Sequence, residues 1–248
     1  MTRLTSPQNA RPARPRARPR AIPAAALSAL ALAFLTPPAS YAADPREDLM
    51  VARDCSRIEA CTQTWTLTSR LGQILEDYEQ RLGPAARRYR LLGIEFTSGA
   101  RPRIWYPNFG SGPKSVIIQL TQRARRDRGL ALFQLAHEAF HLLNPVKPGA
   151  HTSVLEEGLA SYFAARYVEA STTKARTARL SEPAYRTAFD HVAALAARHP
   201  DFTERLRRLR ELKGGFSRVS PDELRAAFPH IKAREASILA SRFDNATN

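Results

Sequence analysis

The pentapeptide His137-Glu138-Ala139-Phe140-His141 leaves the middle of this chain one sensible conformation, a helix. With the chain's own six histidines and its glutamate frequency, roughly 0.008 chance matches to His-Glu-x-x-His are expected, so the pattern is read as a unit. Around it, from about residue 129 to 143, Leu132, Leu135, Ala136, Ala139, Phe140 and Leu143 recur at three and four. That is one apolar stripe of an amphipathic helix. At about 100° per residue, His137, His141, Glu138 and Gln134 fall on the other side. Two imidazoles four residues apart point the same way and reach one tetrahedral ion without backbone distortion. Glu138 lies beside them, placed to take a proton from water and hand it to a leaving amine.

A metal held this way needs a third protein ligand. His151 follows ten residues after His141, in a loop opened by Pro145 and Pro148-Gly149. No aspartate occurs between Glu138 and Asp190. The stronger candidate is in Ser153-Val154-Leu155-Glu156-Glu157-Gly158-Leu159-Ala160-Ser161-Tyr162-Phe163. Ser153 and Glu156 have capping-box spacing, which gives Glu156 a structural role at a helix start and leaves Glu157 free. On that helix Leu155, Leu159, Tyr162 and Phe163 form the apolar stripe. Glu157 lies opposite, among Ala160, Ser161 and Ala164, whose small side chains admit a second helix.

The rest of the chain arranges itself around these two helices. From Trp65 to Leu82, Leu67, Leu71, Ile74, Leu75, Tyr78 and Leu82 predict an amphipathic helix ending at Gly83-Pro84. Three segments rich in branched or aromatic residues follow, Leu91 to Phe96, Arg103 to Tyr106 and Ser115 to Thr121, separated by turn chemistry. They predict a small mixed or antiparallel sheet. Beyond Asp127 the pattern is helical near 129–143, 153–169, 182–198, 201–213, 221–228 and 230–243, punctuated by Pro145, Pro200, Gly214-Gly215, Pro221 and Pro229. Strands first and helices afterwards make an α+β domain with a mainly helical C-terminal part.

At the front, six arginines precede an apolar run from Ala21 to Leu35, and Pro37-Pro38-Ala39-Ser40-Tyr41-Ala42-Ala43 offers small residues at a cleavage point. This predicts a secretory signal over residues 1–42 and one domain over 43–248. The run is shorter than the roughly 20 residues a membrane span needs, and no adjacent arginine pair precedes it, which favours the general export route. A secreted or periplasmic protein follows. Cys55 and Cys61, the two cysteines of the chain, would then be bridged.

The formal charge of +15 falls to +9 when the six arginines of residues 1–42 are subtracted. Arg123-Ala124-Arg125-Arg126-Asp127-Arg128 and Arg205-Leu206-Arg207-Arg208-Leu209-Arg210 read as solvated surface. They offer a surface to an anionic envelope and lack the interleaved aromatics of a nucleic-acid platform, so no nucleic-acid partner is expected.

From Ser115 to Tyr167 the chain resembles the gluzincin branch of the zincin metallopeptidases, on the strength of HEAFH followed by Glu157-Gly158-Leu159-Ala160-Ser161-Tyr162. The resemblance implies a zincin-like fold and one Zn²⁺ per chain held by His137, His141 and Glu157, with Glu138 as general base and acid on a peptide or protein substrate. It also implies that Lys114–Thr121 is the sheet edge on which an extended substrate lies.

There are departures from the family pattern. The metzincin relatives would have glycine at 144 and histidine at 147, where this chain has Asn144 and Lys147. Thermolysin-like members carry an aspartate four residues after the ligand glutamate, and here Ser161 stands in its place. An oxyanion-stabilising group would come from Tyr185, His191, Tyr162 or His230. The competing expectation is a non-catalytic zincin-fold protein for envelope binding or assembly, against which an intact Glu138 argues.

Overall fold

The computed structural model describes residues 66–86, 89–107, 114–146, 150–171 and 182–243. Residues 1–42, where a signal segment is expected, and Trp65, Cys55 and Cys61 lie outside the described residues. The elements run α1 (Leu67–Leu82), β1 (Arg90–Thr97), β2 (Arg103–Trp105), β3 (Ser115–Thr121), a 3-10 turn (Gln122–Arg126), α2 (Arg128–Leu142) and α3 (Val154–Ser171). Then come α4 (Pro183–Arg198), α5 (Phe202–Lys213), a second 3-10 turn (Phe216–Arg218), α6 (Pro221–Ala227) and α7 (Ala233–Ala240). This is a mixed α+β architecture, mainly helical, with the strands gathered near the front. Among the described residues no helix is long and apolar enough to cross a membrane.

The sheet is mixed, in the order β1-β3-β2. β3 pairs parallel with β1 and antiparallel with β2, with Arg103 opposite Gln119, Ile104 opposite Ile118 and Trp105 opposite Ile117. The link Ser98–Pro102 therefore crosses the end of β3, carrying the chain from one side of it to the other. This corrects the expectation that Lys114–Thr121 is the edge. β3 is central, which suits its run of buried residues, and the edge beside the cleft belongs to the three residues of β2.

One face of β3 packs on helices. Ile118 and Leu120 join Leu71, Ile74, Leu132, Leu135, Ala136 and Phe140 in a continuous core. Phe140 stacks on both Phe163 and Phe216, with ring centroids 5.6 Å apart in each pair, and Tyr78 meets it edge-on at 5.9 Å. A ring so enclosed stabilises by about 3–5 kcal/mol relative to alanine.

α1 presents the stripe its spacing predicts, with Leu67, Leu71, Ile74, Tyr78 and Leu82 buried, and the Tyr78 hydroxyl donates to the Ala136 carbonyl at 3.3 Å. The guanidinium of buried Arg210 on α5 donates to the carbonyls of Leu82, Gly83, Pro84 and Leu143 at 2.8–2.9 Å and to the Asn144 side chain. A cation fork thus gathers the carbonyl ends of α1 and α2, where helix dipoles favour positive charge.

Candidate metal centre

α2 starts at Asp127, whose carboxylate accepts from the Leu130 N–H at 3.0 Å. Gln134 then fixes the helix to the end of β3: its side-chain oxygen accepts from the Thr121 N–H at 3.0 Å and its amide donates to Thr121 Oγ1 at 2.9 Å. The side of α2 that sequence marks as polar is therefore not solvated. Every residue from Ala131 to Phe140 is buried, His137 and Glu138 being 5% and 4% exposed.

The burying surface is α3, which is itself enclosed on two sides. Leu155, Leu159 and Phe163 are buried as its apolar stripe, but so are Glu156, Glu157, Ala160, Ser161 and Ala164. Gly158 marks the contact with α4, since a Cβ there would lie 2.4 Å from the Ala188 carbonyl oxygen and 2.7 Å from Val192 Cγ2. The chain end clamps the start of α3: the Val154 N–H donates to the Ser241 carbonyl at 3.0 Å and the Phe243 N–H to the Thr152 carbonyl at 2.9 Å.

With α2 and α3 so placed, His137, His141 and Glu157 converge, one ligand atom of each lying within 4.8 Å of the others. The two Nε2 atoms are 3.3 Å apart. Glu157 Oε2 is 3.1 Å from His137 Nε2 and Oε1 is 3.5 Å from His141 Nε2. A tetrahedral ion with bonds of about 2.0–2.1 Å spaces its ligand atoms about 3.3–3.4 Å apart, so this buried group can hold a metal ion. The outer ring nitrogens are engaged elsewhere, as metal-binding histidines require. His141 Nδ1 donates to Glu156 Oε1 at 3.0 Å, and His137 Nδ1 lies 3.5 Å from Ser161 Oγ. His151 is exposed and outside the group.

The structure corrects the capping box at Ser153 and Glu156. Ser153 Oγ does accept from the Glu156 N–H at 3.2 Å, but the Ser153 N–H donates to Ser217 Oγ at 3.1 Å. The Glu156 carboxylate has turned to His141 and to the Ser217 hydroxyl. Buried charge explains the choice, because a carboxylate against an imidazole and a hydroxyl outweighs one backbone amide. Two acids in succession at a helix start, facing a His-x-x-x-His helix, are the only sequence signal of this arrangement. Ser217, 61 residues away from Glu156, gives none.

The charges of the site hold one another. Burial alone would lower the His141 pKa, but Glu157 and Glu156 outweigh it and raise it well above the ordinary histidine value. Burial acts on Glu157 in the raising direction, and His141 and His137 overcome it, so its carboxyl is lowered. Glu138 is raised, chiefly by burial, against the lowering effect of the two histidines. A carboxylate with a raised pKa is a better proton acceptor than a free one.

His137, Glu138, His141 and Glu157 line an open cleft of about 970 Å³. Residues Thr97–Tyr106 form one wall, Val146, Ala150 and Thr152 another, and Glu182 and Tyr185 at the start of α4 a third. Arg101 and Glu182 join two of these walls through a paired contact, Nε to Oε1 at 3.0 Å and Nη2 to Oε2 at 2.8 Å. Of the four oxyanion candidates only Tyr185 lines the cleft. Its ring lies 5.7 Å from that of His137 and 4.9 Å from that of Phe243, and burial, reinforced by Glu157 and Glu138, raises its pKa and keeps the hydroxyl protonated. Tyr162 packs instead on Phe163 and Phe202, His191 is on α4 outside the cleft lining, and His230 is exposed at a positive φ of 73°. Tyr106, absent from the sequence candidates, also lines the cleft, but its hydroxyl donates to the Val146 carbonyl at 2.8 Å.

No protein-family model, curated protein or solved structure matches the chain.

Proposed function

We propose that this chain is a zincin-like metallopeptidase of the gluzincin kind, exported to the periplasm or beyond, which hydrolyses peptide bonds with Glu138 as general base. The observation that carries the reading is the joint placement of two buried imidazole Nε2 atoms and a glutamate at tetrahedral ligand spacing, with a second buried carboxylate, Glu138, at the same open cleft. The donor set, two neutral nitrogens and one carboxylate, suits zinc, and three ligands leave a position open as hydrolytic sites do. Zinc bound there would supply Lewis-acid polarisation and acidify a water.

The chain's own groups account for the proton movements. Glu138 accepts a proton from the attacking water at its carboxylate and returns it to the departing amide nitrogen, so one group serves as base and then acid. Tyr185, kept protonated by its surroundings, donates its hydroxyl to the oxygen on which negative charge develops. The Arg101–Glu182 pair fixes the cleft wall next to Tyr185. A protein that only bound a partner through this fold would have no use for a buried carboxylate of raised pKa beside the histidines, and that favours catalysis over the non-catalytic alternative.

The test is Glu138→Gln. The variant should keep one zinc per chain and lose at least 10²–10⁴-fold in kcat/KM. Cleavage of the same peptides at the wild-type rate by the metal-loaded variant would refute the reading.

A further inference from the structure

The outer face of the sheet carries a line of polar side chains that runs across all three strands and stops at an open end. Ile118 packs on the helices and Ile104, its cross-strand partner, shares that face and lines the cleft, so Arg103 and Gln119, also paired, point away from it. The Gln119 amide donates to Glu95 on β1, and its oxygen accepts from Arg103 Nε at 2.6 Å. Carboxylate, amide and guanidinium thus follow one another from β1 through β3 to β2. Beyond β2 the sheet has no further strand among the described residues, and β2 lines the cleft that holds Glu138.

The two cleft arginines differ in one respect. Arg101 has a carboxylate partner in Glu182. Arg103 is exposed, and only its Nε has a partner among the described residues, a neutral amide. Its two terminal nitrogens have no partner among the described residues, on the strand whose other side is where a fourth strand would lie. An extended peptide added there would put every second side chain on the outer face, level with Arg103 and, two positions on, with exposed Trp105.

The geometry points to Arg103 as a specificity-determining residue: the cleft takes extended peptides that carry a glutamate or aspartate in register with Arg103, so that a carboxylate of the substrate completes the cross-sheet line. The assignment rests on the peptidase reading above and names the substrate class of that site. A peptide carboxylate meets a guanidinium with two free donors, a bidentate contact that a lysine or glutamine side chain on the substrate cannot make. The formal charge of +9 carried by residues 43–248 also favours approach of acidic peptides.

The experiment uses the full, zinc-loaded chain and a mixture of blocked random decapeptides, with cleavage sites read by mass spectrometry. One position should show acidic residues preferred over lysine by about three- to tenfold. Arg103→Gln should flatten that ratio and Arg103→Glu should invert it. Because each variant is scored as a ratio within itself, a general loss of rate does not imitate the effect, and retained zinc shows that the variant is folded. Cleavage with no charge preference at any position would overturn the assignment while leaving the peptidase reading intact. So would a preference that survives in both Arg103 variants but is lost in Arg101→Gln. Cleavage of no peptide by the metal-loaded chain would instead strike the peptidase reading and take the assignment with it. A dimer joined through β2 and broken by Arg103→Glu would show that a second copy occupies the edge, and would overturn it too.

Discussion

Glu156 and Glu157 are chain neighbours with different work. The helix turns by about 100° between them, so Glu157 meets the inner Nε2 atoms of both histidines while Glu156 reaches round to the outer Nδ1 of His141. Glu156 is in turn held by the Ser217 hydroxyl. It is a positioning residue, orienting an imidazole and raising its basicity. Glu156→Ala should weaken zinc binding by about 10–100-fold, and Glu156→Gln, which still accepts from Nδ1, should recover most of that; competition against a chelating dye measures both. Equal affinity in the alanine variant would remove Glu156 from the account.

The same charges set a pH dependence in the metal-free chain. His141, raised from 6.5, stabilises the fold fully below 6.5, and that contribution is lost as pH climbs through the raised value. Glu157, lowered from 4.5, contributes fully above 4.5 and is lost as pH falls through its folded value. Glu138, raised from 4.5, takes stability away as pH rises through its own folded value, so together with His141 it makes thermal stability in chelator fall on the alkaline side of 6.5, while loss of the Glu157 contribution lowers it in strong acid. A flat profile from 4.5 to 9 would contradict the His141 assignment. In the same range zinc must displace a proton from His141, so affinity should rise with pH.

Among the elements, α3 and α4 approach closely at Gly158. Gly158 lets the Ala188 carbonyl approach to where a methyl group would be 2.4 Å from it. Gly158→Ala would normally help a helix, yet here overpacking should cost on the order of 1–3 kcal/mol or more. Tyr185 is carried on α4, so the displacement should also depress turnover; urea unfolding and kcat together measure it. A more stable variant with unchanged kcat would show that the two helices do not need this approach.

The helices themselves were legible because apolar residues recur at three and four in α1 and α2 and because Pro and Gly stand at the breaks. The full burial of α2 and α3 was not. A helix with small or polar residues on its second side reads as amphipathic until another helix is known to cover that side. The central place of β3 was hidden for a related reason. It depends on Arg103–Trp105, a strand of three residues, passing to the far side of β3, and no local pattern encodes which side a short strand takes.

At the scale of the whole molecule, residues distant in sequence meet to serve one group of side chains. α1 and α5 anchor the carbonyl end of α2 through Arg210, the 241–243 segment clamps the start of α3, and the second 3-10 turn supplies Ser217. His137, His141 and Glu157 could be chosen from spacing because two adjacent helices carry them. Tyr185 stood among four candidates until α4 was placed, since the start of α4 meets α2 only through tertiary packing. Everything proposed about catalysis depends on those three side chains holding one ion. The direct test is metal content per chain of the purified protein, wild type beside His141→Ala and Glu157→Ala, each checked for folding. One zinc in the wild type with a large loss in both folded variants is the predicted result. A folded wild type without zinc, or zinc retained when Glu157 is removed, would contradict it.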